Sequence, residues 1–284
     1  MYKVVRNIIS GIAVGVANII PGVSGGTMLV ILGLFDKVTE SISNVFKFKN
    51  PNRFKDILFL LQVLIGAGIG IVGFAKVLDW LFANCPTQTI YWFIGLILLS
   101  IPTLIKSELK EGKFSWISFI IGLITIFVIT YFKPENQDMT ITNFPPLTAP
   151  HLIIMVLAGI IAGATMILPG VSGSMMLLII GQYYLFKSYV SKVTSFKLDI
   201  IIPLCFIGFG IGVGILLSSW VTTYFLKTKR TQTVSFIIGL VVASTLVLIP
   251  INISYDIPLI LTSAVSLAFG SGIVLFINKL RGEA

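Results

Sequence analysis

Two stretches of this chain are versions of one sequence, and each carries Pro-Gly in the middle of an otherwise apolar run. They are residues 11–33 (GIAVGVANIIPGVSGGTMLVILG) and 159–181 (GIIAGATMILPGVSGSMMLLIIG). Proline removes an amide donor and glycine admits backbone shapes closed to other residues, so neither stretch can run as one straight helix. The apolar flanks keep the break away from bulk water. Irregular backbone at membrane depth is tolerated only inside protein or against a watery cavity. Further matches follow in the same order. Thr87-Gln88-Thr89 precedes Ile94-Gly95-Leu96, as Thr231-Gln232-Thr233 precedes Ile238-Gly239-Leu240. Gly66, Gly68 and Gly70 answer Gly208, Gly210 and Gly212. Such ordered pairs indicate an internal duplication: one transmembrane domain over 1–284, with repeats at about 1–145 and 150–284.

The rest of the chain supports a membrane setting. Only 11% of residues are charged, against 56% hydrophobic, whereas about a quarter are charged in soluble domains. Runs at 57–74, 89–105, 116–132, 233–249 and 258–277 approach the roughly 20 residues that cross a hydrocarbon core. The predicted fold is an all-α polytopic membrane protein. In the first half a broken segment (4–20, then 28–45) precedes helices near 57–82, 89–105 and 115–132. In the second, the break lies between 152–168 and 175–189, and helices follow near 200–226, 233–250 and 257–277. If each broken segment is a re-entrant hairpin, three crossings per half leave the second repeat inverted, a plan common among secondary transporters.

Charge sidedness agrees with this plan. The formal net charge is +9, from 20 Lys and Arg against 11 Asp and Glu. With both termini cytoplasmic, the inner side collects the cations at 3, 6, 37, 47–55, 106–113, 227–230 and 279–281. The outer side keeps Lys133, Lys187, Lys192 and Lys197. A single crossing by the first broken segment would move 47–55 and 106–113 outside, against the positive-inside rule. The basic balance is therefore a matter of topology, and no nucleic-acid partner follows from it. Cys85 and Cys205 share no ligand-like spacing and imply no disulfide framework.

The tips carry the chemistry. The first comprises Pro21, Gly22, Val23, Ser24, Gly25, Gly26 and Thr27, and the second Pro169, Gly170, Val171, Ser172, Gly173 and Ser174. Ser24 and Ser172 are placed to cap the helices that follow, and Thr27 adds a hydroxyl. A helix start offers unpaired amides and partial positive charge, which suits an anion. Two such starts related by inversion should meet near the midplane. A lone Pro-Gly would read as a kink, but its recurrence within a repeated motif points to a substrate site. The alternating glycines read instead as helix-packing positions. Asp36, Lys76, Asp79 and Lys187 are candidates for charge coupling or headgroup attraction. His151, the sole histidine, reads as a surface residue. No cofactor or metal follows from the sequence: no two-histidine spacing occurs, and a nucleophilic role for Ser24 or Ser172 has no assignable base. No ring of pore-lining charge suggests a channel.

The motifs at 17–27 (ANIIPGVSGGT, then Gly33-Leu34-Phe35-Asp36) and 168–173 (LPGVSG, then LLIIGQY from Leu177 to Tyr183) resemble the polyprenyl-phosphate transporter family. That family was long catalogued as a bacterial membrane domain of unknown function. Asn18, counted with the substrate-binding residues, stands where many of its members carry aspartate, so this chain offers no carboxylate there. The resemblance implies a flippase of the bacterial plasma membrane, recycling undecaprenyl phosphate from the outer to the cytoplasmic leaflet for envelope synthesis. A proton or sodium ion is the expected coupling partner. Lys187, Lys192 and Lys197 could draw the phosphate to the outer mouth. The competing reading, a secondary transporter of a small water-soluble anion, uses the same architecture.

Overall fold

Apolar runs punctuated by Gly and Pro become helices with sharp ends throughout the computed structural model, which describes residues 2–19, 24–45, 47–109, 114–132, 144–251 and 253–281. The first half contains α1 (Tyr2–Ile19), α2 (Gly25–Ile31), α3 (Phe35–Asn44), α4 (Arg53–Asn84), α5 (Pro86–Glu108) and α6 (Trp116–Tyr131). The second contains α7 (Ala149–Ile167), α8 (Gly173–Ile179), α9 (Tyr183–Ser191), α10 (Leu198–Thr228), α11 (Arg230–Leu248) and α12 (Ile257–Arg281). A short 3₁₀ turn, Val193–Ser195, links α9 to α10. The described residues contain no strand.

Five helical stretches are long and apolar enough to cross a membrane: Arg53–Phe74, Ala149–Ile167, Leu198–Thr228, Arg230–Leu248 and Ile257–Leu275. A sixth arises if Lys76–Asn84 and Pro86–Pro102, which meet at 115°, count as one broken span. The chain is a multi-pass membrane protein. Its outward faces carry the large apolar side chains that lipid accepts, among them Leu64, Val72, Ile117, Phe209, Trp220 and Val265.

Local chemistry explains the boundaries. Pro86 opens α5 in its first turn, where the missing N–H costs nothing and the fixed φ suits a helix. Ser115 caps α6 by accepting from the Ser118 amide at 3.4 Å. The sequence reading treated 28–45 and 175–189 as single arms, but each bends: Gly33 (φ 63°) and Gly181 (φ 72°) divide α2 from α3 and α8 from α9. A left-handed glycine after a helix is a common stop, and it turns α3 and α9 away from the arms that precede them.

The halves pack by corresponding pairs. α1 lies against α4 as α7 lies against α10. α5 packs on α12 of the other half, and α11 packs on α6, so each half lends its last helix to the other. Close approach depends on glycine: Gly11 and Gly66 face each other across α1–α4, and Gly159 and Gly210 do so across α7–α10. A Cβ at any of these positions would collide with a backbone carbonyl of the facing helix. The alternating glycines therefore divide their work. Gly66 and Gly70 pack on α1, and Gly210 and Gly214 pack on α7, while Gly68, Gly208 and Gly212 face open space. With 3.6 residues per turn, positions two apart point to different sides and positions four apart share one.

Candidate functional site

The two hairpins meet at their tips. Ser24 takes the N-cap position of α2 and accepts from the Thr27 amide at 3.2 Å. Its hydroxyl also lies 3.1 Å from that of Thr27. From the second tip, the Gly170 amide donates to both hydroxyls, at 3.1 Å to Ser24 Oγ and 2.9 Å to Thr27 Oγ1. This link joins residues more than a hundred positions apart through backbone that no secondary structure pairs. Ser24 and Thr27 are buried, at 5% and 1% exposure, and the Gly170 amide adds a donor to oxygens otherwise paired within the first tip. Asn18, at the end of α1, accepts from the Gly25 amide at 3.1 Å. Pro21, Gly22 and Val23 lie outside the described residues.

Glycine makes the contact sterically possible. A Cβ on Gly26 would stand 2.8 Å from the Ile167 carbonyl oxygen and 3.2 Å from the Pro169 nitrogen. Gly170 holds φ +81°, a conformation that disfavours any other residue, with the Leu240 carbonyl and the Ser244 side chain close by.

The second tip departs from expectation. Ser172 occupies the N-cap position of α8 but makes no capping bond. Its hydroxyl instead pairs with Ser174 at 2.7 Å. Position 175 is methionine where the first tip has Thr27, so the hydroxyl pair that anchors the first cap has no counterpart here. The tips also differ in burial. Every residue of α2 from Gly25 to Val30 is buried, whereas in α8 only Gly173 and Leu177 are. Val171 is buried against Leu240, Ala243 and Ile126, while Ser172 is half-buried and Ser174 is exposed.

The charged candidates are dispersed. Asp36, in the first turn of α3, pairs with Arg230 at the start of α11, 2.9 Å apart. Glu40, one turn later, pairs with Lys227 near the end of α10. Both pairs join the base of the first hairpin to the second half. Beside Asp36 lies a cavity of about 250 Å³ walled by Val30, Gly33, Phe35, Asp36, Lys37, Leu226, Val234 and Ile237. Lys37 sets its ammonium over the Phe59 ring at 3.9 Å. Partial burial there, with the Arg6 and Lys3 cations adding to it, holds Lys37 below the usual lysine range. Lys76 is exposed on α4, and the side chain of Asp79 lies outside the described residues, as does any pairing between the two. Lys187 is exposed on α9. His151 is tied to the buried Tyr189 hydroxyl at 3.0 Å and bridges α7 to α9. Lys192 sits over the Phe144 ring, 5.0 Å from its centre. Among the described residues no group of His, Cys, Asp or Glu could hold a metal ion.

Sequence reasoning missed the two ion pairs between halves. Asp36 stood out by its place after the motif, but Glu40, Lys227 and Arg230 looked like ordinary loop-end charges, and no spacing rule connects them.

Comparison with known proteins adds an independent line. Residues 14–259 match the model of the VCA0040-like family, described as undecaprenyl phosphate translocase-like. A protein of Vibrio cholerae serotype O1 named polyprenyl-phosphate transporter is 32% identical over 251 residues, covering 83% of this chain and 74% of the relative. A Staphylococcus aureus protein of the same name is 30% identical over 281 residues, covering 98% and 97%. No solved structure matches the chain significantly.

Proposed function

Because the chain belongs to the undecaprenyl phosphate translocase-like family, we propose that it carries a polyprenyl phosphate, undecaprenyl phosphate foremost, from the outer to the cytoplasmic leaflet of a bacterial plasma membrane. The two halves form inverted repeats with both termini cytoplasmic, and the tips enter from opposite sides. The phosphate binds where they meet. Asn18, Ser24, Gly25, Gly26 and Thr27 face it from one side, with Gly170, Val171, Ser172, Gly173 and Ser174 on the other, and Pro21, Gly22, Val23 and Pro169 shape the two turns.

The observation that carries this reading is the bond from the Gly170 amide to Ser24 and Thr27 across the repeat boundary. Buried donors and hydroxyls already converge there. A phosphate in a low-dielectric site must have several hydrogen bonds, since an unpaired buried charge is very costly. α8 has no side-chain cap, which leaves first-turn amides for an anion, and the hydroxyls of Ser172 and Ser174 stand beside them. The lipid tail stays in the bilayer while the headgroup crosses, so the protein needs no tail-sized pocket. A proton or sodium gradient drives net movement.

Reconstitution tests the reading. Proteoliposomes should exchange a labelled polyprenyl phosphate between leaflets well above the protein-free rate, and Gly173→Val should stop them. Valine there would press on the Ala162 carbonyl oxygen, which a Cβ alone would approach to 2.8 Å. Exchange at the protein-free rate under every proton and sodium gradient, together with uptake of a small anion, would replace the lipid by a water-soluble substrate.

A further inference from the structure

The two halves pack alike along their long helices and differ around their hairpins. On one side α3 packs against the end of α10, and α2 packs against α5. On the other, the corresponding α9 makes no comparable packing with α4 among the described residues, nor α8 with α5's counterpart α11. Burial follows the same division, with α2 enclosed and α8 half open. Two inter-half ion pairs, Asp36–Arg230 and Glu40–Lys227, stand on the closed side. Their counterparts under the repeat alignment, Tyr184 with Pro86 and Ser188 with Ala83, carry no charge.

We infer that the structure is an outward-open state, with its cytoplasmic side shut by the first hairpin base clamped on the α10–α11 corner and latched by Asp36–Arg230 and Glu40–Lys227. The inference rests on the sidedness and repeat inversion proposed above. In two inverted repeats, the arrangement of one hairpin at a given moment is the arrangement the other adopts later. The inward-open state is therefore reached when α3 leaves α10 and α9 docks on α4. That exchange buries the second tip and opens the first to the cytoplasm.

The latch suits a door that must open in every cycle. All four side chains are between 44% and 62% exposed. Exposed pairs of this kind shift an equilibrium by about 1.5-fold to 5-fold each. They bias the closed arrangement without trapping it. With α3 docked on α10 and the first tip enclosed while the second is half open, the resting preference is outward, the side on which the spent carrier lipid would be collected.

The test compares cross-linking on the two sides in the full-length protein with Cys85 and Cys205 replaced by serine. Glu40→Cys with Lys227→Cys reports the inner door, and Asp36→Cys with Arg230→Cys is a second inner pair should the first variant fold poorly. Tyr184→Cys with Ala83→Cys reports the outer door. Without substrate, one short bis-methanethiosulfonate, which forms a reducible disulfide with each cysteine as sulfinate leaves, should join an inner pair about tenfold faster than the outer pair, the ratio of a state preferred by ~1.4 kcal/mol. The inner cross-link should also halt leaflet exchange until it is reduced. Equal or faster joining of the outer pair, or undiminished exchange with the inner pair joined, overturns the assignment. The cross-linking rates need no substrate, so a failure of the lipid reading would appear separately, as absence of exchange in the parent protein.

Discussion

Removing the two hydroxyls that receive the Gly170 amide should reveal a coupling that neither removal shows alone. Thr27→Val deletes the nearer acceptor, at 2.9 Å, and leaves Ser24 at 3.1 Å to take the bond. Inter-helix hydrogen bonds in membrane proteins average about 0.6 kcal/mol, so the single change should cost about that. Ser24→Ala removes the cap on α2 as well, and cap losses run near 1 kcal/mol. It leaves Thr27 to accept from Gly170. The double variant removes both acceptors that the Gly170 N–H uses. An orphaned buried donor costs about 1–3 kcal/mol. The double variant should therefore fall short of the parent by roughly 2.5–4.5 kcal/mol, of which about 1–3 is non-additive. Denaturant titration of the four proteins in mixed micelles measures the cycle. A double variant equal to the sum of its singles, within about 0.5 kcal/mol, would show that the tips do not depend on this bond.

Gly26→Ala should impair leaflet exchange strongly, because its Cβ meets backbone at Ile167 and Pro169 that cannot yield, with an overpacking cost of about 1–3 kcal/mol. Gly68→Ala, which faces open space, should keep exchange intact and gain a few tenths to about 1 kcal/mol of helix stability. Gly25→Ala should be milder than Gly26→Ala in the same assay, since the atoms in its way belong to the Asn18 side chain, which can turn aside. In intact cells of a Cys85→Ser, Cys205→Ser background, an impermeant thiol reagent should label Lys187→Cys but not Lys229→Cys; equal labelling of both would refute the inverted topology.

The helical framework was legible because its signals are local. Pro86, Ser115 and the stretches without charge mark where spans begin, and the repeat itself announces which helices correspond. The bends at Gly33 and Gly181 were harder to see, since an apolar run such as MLVILGLF reads as one arm until the backbone sign of a single glycine is known. The role of Gly68 against Gly66 needed only the helical angle between them, but which of the two faces points inward depends on α1, far away in sequence. The ion pairs Asp36–Arg230 and Glu40–Lys227 were not legible at all. They arise from the fold bringing α3 to the α10–α11 corner, and the sequence offers only four charges at the ends of separate helices.

The asymmetry between the tips, by contrast, was written in two positions of an otherwise shared motif. After Pro-Gly-Val-Ser-Gly the first repeat has Gly26-Thr27 and the second has Ser174-Met175. Glycine at 26 is what lets the first helix start lie against Ile167 and Pro169, and threonine at 27 supplies the nearer acceptor for Gly170. Serine at 174 could not make the matching approach without a Cβ in the gap, and methionine at 175 has no hydroxyl to offer. The second tip is therefore built to receive contact through its backbone, at Gly170, and the first to receive it through side chains. These two differences give the protein unequal halves at the one place where its substrate would have to be handed from one to the other.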